Sequence, residues 1–327
     1  MKKALVLGVT GQDGSYLAEI LLEKGYEVHG MVRRSATGNL RNIQHLVDNP
    51  ELFNVRFFLQ RGDLADTTSL YRIITQLKPD EIYNEADQDH VAWSYDMVDY
   101  SMDITGAAVG RILEIIKQVN PAIRYFQPCT SNMFGLNEDL TQNELTPFNP
   151  QSPYAVCKIQ AYYLVRYYRQ AHGIFAATAI LYNHESPRRT EEYVTRKITR
   201  SVARIAAGKQ DKLKLGDLSA RIDWGYAREY MEAAWQILQQ DNPDDYIIAS
   251  GEGHSIREFV DAAFSIVNLD PEKYVISDKA LYRPTKTSVL IGDTSKARQK
   301  FGFEPKVKFR ELVRLMVESD IKSVQDE

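Results

Sequence analysis

Short apolar runs alternate with longer amphipathic ones through the first half of the chain, which predicts repeated βαβ units and a parallel sheet. Ala4–Leu7 reads as a short buried strand, and Tyr16–Lys24 as a helix with Leu17, Ile20 and Leu21 on one face. Further strands are expected at Val28–Val32, Val55–Leu59, Glu81–Asn84, Arg124–Gln127 and Phe175–Leu181. Helical patterns span Asp103–Gln118 and Ser152–Gln170, the second with Pro153 in its first turn. Beyond residue 181 the rhythm loosens. Helices are expected at Val194–Ala207, Ala227–Gln239 and Ile256–Val267, with loops at Asn183–Arg189 and Leu215–Gly225. Tyr246–Ser250 reads as a strand returning to the first sheet, and Phe309–Ser319 as a closing helix. The expected architecture is α/β: a Rossmann-type doubly wound parallel sheet with a smaller, mostly C-terminal substrate-binding lobe. The boundaries are 1–181 for the dinucleotide-binding domain, with 223–250 returning to it, and 182–327 for the substrate lobe.

With 327 residues the chain exceeds one small core, and 44% hydrophobic with 26% charged residues is the balance of an ordinary folded protein. Forty basic against forty-four acidic residues, with no polybasic run, argue against nucleic acid as a partner. Two cysteines, Cys129 and Cys157, make neither a disulfide framework nor a four-thiolate metal site, and they fit a reducing compartment. Only Ala4 to Val9 are uncharged and apolar between Lys3 and Thr10, too few for a signal peptide, and no run approaches the ~20 apolar residues that span a bilayer. A cytoplasmic protein without a membrane partner is expected.

The strongest local signal is Gly8-Val-Thr-Gly11-Gln-Asp-Gly14, after the first strand and opening the first helix. Glycines there allow a tight turn and let the backbone approach a pyrophosphate at the helix N-terminus, with Thr10, Gln12 and Asp13 beside it. GxxGxxG is the short-chain dehydrogenase spacing of this turn. A site preferring NAD usually carries an acid after the second strand. Here the chain reads Arg33-Arg34-Ser35, with Arg41 following, and paired guanidinium donors suit a 2′-phosphate. NADP is the expected cofactor. Asp63 and Leu64, after the third strand, are placed at the adenine.

Tyr154 and Lys158 stand four apart, one turn along a helix face. A phenol near pKa ~10 is a poor base at neutral pH, and a neighbouring ammonium lowers that value. Thr130, just past the fifth strand, can share a hydrogen bond with the same substrate hydroxyl. The trio predicts removal of an alcohol proton by Tyr154 with hydride passing to NADP.

GVTGQDGSYLAEILLEKGYEVHGMVRRS, SPYAVCK, LYNHESPRR (181–189), VTRKI (194–198), DWGYAREYMEAAW (223–235) and YRPT (282–285) together resemble the GDP-mannose 4,6-dehydratases, within the extended short-chain dehydrogenase/reductases. The resemblance runs nearly end to end. It implies oxidation at C4 of a GDP-linked sugar and assembly as a homodimer or homotetramer. It also places Arg33, Arg34, Ser35 and Arg41 at the 2′-phosphate, and Asn183, Lys197 and Arg283 at the sugar nucleotide, with Asp89 grouped among the substrate contacts.

The departures bear on the reaction. The family reads threonine–serine–glutamate where this chain has Thr130-Ser131-Asn132, and that glutamate moves the C5 proton and expels the C6 hydroxyl. An amide hydrogen-bonds but cannot cycle a proton. The family's YNLGAQSHV becomes YNEADQDHV, which introduces Glu85, Asp87 and Asp89. Ile222 replaces an arginine that grips pyrophosphate, and Lys286 and Ser288 stand where acids are usual. In one reading C4 oxidation ends in epimerisation or a 4-keto product. In another, one of the three new acids restores dehydration. Otherwise these acids simply cap the following helix. A third reading is a dinucleotide-binding module without turnover. No metal is expected, since Glu85, Asp87, Asp89 and His90 have no second ligand cluster beside them.

Overall fold

A computed structural model describes residues 1–36, 38–137, 141–281 and 289–325. The central sheet has seven strands: β1 (Lys3–Leu7), β2 (Glu27–Val32), β3 (Phe57–Arg61), β4 (Glu81–Asn84), β5 (Arg124–Thr130), β6 (Ala176–Leu181) and β7 (Asp245–Ile248). Their order is β7-β6-β5-β4-β1-β2-β3 and every pairing is parallel. This is the Rossmann order with one strand added at the β6 edge.

Alternation along the strands feeds two layers. Ala4, Val6, Tyr83 and Phe126 pack with α1 (Gln12–Glu23) and with a helix after residue 226 (Ala227–Leu238). Leu5, Leu7, Ile82 and Tyr125 face the opposite layer, built from α2 (Thr67–Leu77), α3 (Ala108–Val119) and α4 (Pro153–His172). A third cluster joins Ile198 and Val202 of α5 (Val194–Ala206) to Phe259 and Phe264 of α7 (Ile256–Ile266) and to Leu312 and Met316 of α8 (Phe309–Gln325), with Ala227–Leu238 being α6.

Several boundaries differ from the sequence expectation. The third strand begins at Phe57, because Asn54 takes a left-handed turn (φ 58) and Val55 stays exposed. Met102–Ala107 is a π-helical turn ahead of α3 where one continuous helix was expected. Thr130 is the last residue of β5, not a residue beyond it. Two expected loops contain strands: Asn183–Glu185 pairs in parallel with Arg221–Tyr226, which pairs antiparallel with Gly253–Ser255. Such short polar strands carry no period of their own, and distant partners define them.

Asp320 on α8 is fully buried, with Arg196 at 2.8 Å, Arg200 at 3.6 Å and a hydrogen bond from Thr199 at 2.7 Å. Removing one member of a buried ion pair strands the other charges. Asp320→Ala is expected to cost about 3–5 kcal/mol in urea denaturation. Glu272→Ala, which breaks an exposed pair with Arg257, is expected to stay within ~0.5 kcal/mol.

Candidate active site

The strand order reverses between β1 and β4, and ligands of such sheets bind at that switch point. A cleft of about 990 Å³ opens there. Gly8, Thr10, Gly11, Gln12 and Asp13 line it from the glycine turn, and Arg33, Arg41, Asp63 and Leu64 from the segments after β2 and β3. Thr130, Asn132, Tyr154, Lys158, Asp89 and Asn183 line it too. Gly14, Arg34, Ser35 and Lys197 are not among its lining residues. Gly14 instead lies inside α1, where a Cβ would sit 2.4 Å from the Gly8 carbonyl oxygen. Arg196, beside Lys197, does face the cleft. Arg283, Lys286, Ser288 and the YRPT segment lie outside the described residues.

Ser152 caps α4 by accepting from the Ala155 amide at 3.2 Å, and Pro153 occupies the first turn. That start fixes Tyr154 and Lys158 on the buried face of the helix. Lys158 Nζ donates to the Pro128 carbonyl at 2.9 Å and lies 5.7 Å from the Tyr154 ring centre. Thr130 shares a hydrogen bond with Tyr154, and its Oγ1 accepts from Asn132 Nδ2 at 3.0 Å. Burial raises the Tyr154 pKa, Lys158 pulls it down, and Asp87 and Asp89 push it up again.

The acids after β4 are not helix caps. The next short helix, Trp93–Asp96, has no side-chain cap bond, and the Trp93 amide donates to His90 Nδ1. Asp87 Oδ2 sits 2.5 Å from Lys158 Nζ. Asp89 accepts from the Tyr193 hydroxyl at 2.7 Å. Glu85 Oε1 is buried without a hydrogen-bond partner, and burial, then Asp13, raise its pKa against the pull of Lys158. Among the described residues no group of three or more His, Cys, Asp or Glu is placed to hold a metal ion. Among them also, no helix is long and apolar enough to cross a membrane.

The segment after β6 docks on the glycine turn. His184 pairs with Asp13 at 2.9 Å, Gln12 Nε2 donates to the His184 carbonyl at 3.1 Å, and Ser186 Oγ donates to Gln12 Oε1 at 2.7 Å. Arg189 stacks on Tyr193 at 3.5 Å and reaches Glu185 at 3.4 Å. Sequence reasoning singled out Asn183 here and missed His184, Arg189, Tyr193 and Arg196, since a lone histidine and scattered arginines give no spacing signal. Ile222 lines the cleft, and the neighbouring Arg221 is engaged by Glu258 at 3.1 Å.

These residues fit a dinucleotide. No side chain caps α1, whose first turn borders the cleft. Burial lowers the pKa of Arg196, Asp320 draws it back, and Arg41 and Arg200 depress it further. Arg41 and Arg196 both line the cleft, which is a setting for an anion.

A parallel sheet with a glycine turn at its switch point and a Tyr/Lys pair beside a threonine is the arrangement of a short-chain dehydrogenase/reductase. The family model described as GDP-mannose 4,6 dehydratase matches residues 5–316, and the chain belongs to that family. GDP-mannose 4,6 dehydratase 1 of Arabidopsis thaliana is 47% identical over 100% of this chain and 91% of its own length. The GDP-mannose 4,6 dehydratase of Homo sapiens is 44% identical over 98% and 91%. Among solved structures, a UDP-glucose 4-epimerase with UDP-glucose from Thermotoga maritima shares the fold at a TM-score of 0.86 and 21% identity, over 98% of this chain and 99% of that one.

The His184–Asp13 clasp generates a pH dependence. Burial lowers the His184 pKa, but Asp13 outweighs it and the folded value lies above 6.5. Asp13 is held below 3.8, since His184 and Arg189 outweigh its burial. The clasp is therefore complete between these values, fades as pH falls through the Asp13 value, and fades as pH rises through the folded His184 value. Urea denaturation is expected to show His184→Gln less stable than the parent by roughly 1.5–3 kcal/mol near pH 6, with the difference shrinking at higher pH.

Proposed function

We propose that the chain moves a hydride to and from C4 of a GDP-linked hexose with NADP as cofactor, and releases the C4 epimer or the 4-keto sugar without expelling water. The observation that carries this reading is the Asn132 amide donating to Thr130 Oγ1 at the position where the family resemblance implies a glutamate. Thr130 is held by Asn132 and Tyr154 and orients the C4 hydroxyl. Tyr154 takes the O4 proton, and Lys158 supplies the positive charge that stabilises the phenolate. A bound nicotinamide dinucleotide supplies the acceptor and donor for the hydride.

Oxidation makes the C5 proton acidic, but losing the C6 hydroxyl needs a group that takes one proton and gives another. Asn132 has no such chemistry. Asp87 is paired to Lys158, and Asp89 holds Tyr193. Glu85 favours the rival reading of a relocated acid, since its Oε1 is buried and unpartnered. Its charged neighbours are Asp13, Lys158 and Asp87, two acids and a cation that one of them already holds.

The discriminating experiment is mass spectrometry of the product formed from GDP-mannose and NADP in deuterated water. Unchanged composition, or loss of only two hydrogens, is expected; loss of water at a rate typical of the relatives overturns the reading. Asn132→Glu is expected to raise dehydration by about 10²–10⁴-fold.

The preference for NADP rests on Arg33 and Arg41 lining the cleft. In calorimetry Arg33→Ala is expected to weaken NADP binding by roughly 1.5–3 kcal/mol and to leave NAD binding nearly unchanged. Equal affinities of the parent for the two cofactors contradict it.

A further inference from the structure

We propose that Asp87 is a positioning residue that clamps the Lys158 ammonium and thereby holds Tyr154 as a protonated phenol, so that the site favours returning a proton to a C4 ketone over removing one from a C4 alcohol. This rests on the hydride-transfer reading above. Lys158 is almost fully buried, and two of its donor directions are occupied, by the Pro128 carbonyl at 2.9 Å and by Asp87 at 2.5 Å. The carboxylate lies at ion-pair distance from the ammonium that makes the tyrosine of a Tyr/Lys pair a usable base.

The electrostatics follow from distance. Lys158 Nζ lies 5.7 Å from the Tyr154 ring centre, and a full positive charge about 6 Å from a phenolate oxygen, at an effective dielectric of about 20, would favour the phenolate by roughly a hundredfold. A carboxylate bound to that ammonium offsets part of the gain. The other groups facing the pair do not restore it. Asp89, Glu85 and Asp13 are acids from the loop after β4 and from α1, and Cys129 and Tyr193 add no positive charge. The cations nearby are committed, His184 to Asp13 and Arg189 to Glu185 and Asp89. Burial is the first cause of the raised Tyr154 value; Lys158 pulls it down, and Asp87 and Asp89 push against that pull.

The chemical balance is simple. In oxidation the O4 proton passes to the Tyr154 phenolate while hydrogen leaves C4 with its electron pair for a nicotinamide. In the return step the electron pair comes back to C4 and the Tyr154 phenol protonates O4. Only the second step starts from the form of Tyr154 that Asp87 favours. A dehydration cycle must begin with the first step, whereas an epimerase also needs the second.

The test reads Tyr154 directly and needs no sugar. Protein carrying tyrosine labelled with carbon-13 at Cζ, loaded with NADP, is titrated by NMR, and the Tyr154 signal is identified by its absence in Tyr154→Phe. The parent signal is expected to remain that of a phenol to pH 9. Asp87→Asn is expected to ionise at least one pH unit lower, a shift of ten- to hundredfold, and Asp87→Glu to resemble the parent. Coincident titrations of the parent and Asp87→Asn overturn the proposal. So does a parent Tyr154 that ionises below pH 9, which judges the matter even if Asp87→Asn does not fold. The pH midpoint of NADPH formation from GDP-mannose in a single turnover is expected to move with the NMR midpoint. If no GDP-sugar is oxidised, the substrate assignment fails while the NMR result still decides the role of Asp87.

Discussion

The chain leaves β1 through Gly8 at φ +76, and the backbone after β4 crosses so closely that a Cβ on Gly8 would lie 2.5 Å from the Glu85 carbonyl oxygen. On the other side, Gly14 brings α1 against the Gly8 carbonyl. Three backbones thus meet where the strand order reverses, and no side chain fits between them. This contact fixes the mouth of the cleft. It sets the first turn of α1 beside the loop after β4, so whatever that loop carries is delivered to the cofactor side of the site. A substitution at Glu85, Asp87 or Asp89 therefore changes the chemistry without touching the core, because each projects from a loop whose backbone path is already determined.

The charges in this small space interact as a set. Asp87 pairs with Lys158, Asp13 with His184 and Asp89 with Arg189, while Glu85 Oε1 has no hydrogen-bond partner. Burial makes each unpaired charge costly, so the pairs form even where a mechanism would keep a cation available. Lys158 shows this most clearly. Its ammonium is held in place by Pro128 and drawn by Asp87, and its high pKa, against burial, reflects a charge that is stabilised but no longer directed at Tyr154 alone. The Asn132 amide fits the same pattern, donating to Thr130 without adding another acid to a region already crowded with carboxylates.

The sheet was legible because its strands are apolar and its helices amphipathic, with Glu81–Asn84 matching to the residue. The glycine turn and the Tyr154/Lys158 pair were legible because their spacing is itself the chemistry. The small sheet built on Arg221–Tyr226 was not, since its strands are short and polar and exist through pairing with Asn183–Glu185 and Gly253–Ser255. Long-range side-chain partners were hidden for the same reason. His184 and Asp13 are 171 positions apart, and Asp320 and Arg196 more than a hundred, so no window along the chain contains both members. Asp87 was visible as a new acid after the fourth strand, but only the folded chain shows that it takes the lysine.

Glu85 unites the two levels of this argument. Its carbonyl is part of the backbone crossing that the fold requires, and its side chain is an acid whose pKa burial pushes up. The backbone role tolerates any residue, because the contact with Gly8 involves main-chain atoms only. The side-chain role is set by what surrounds it, and those surroundings, Asp13, Asp87 and Lys158, come from three separate elements. A position can thus be fixed in space by the fold and still be open in its chemistry. The same separation holds at Asn132, in the 3₁₀ turn that follows β5, where the strand positions the backbone and the side chain alone decides that an amide rather than a carboxylate meets Thr130.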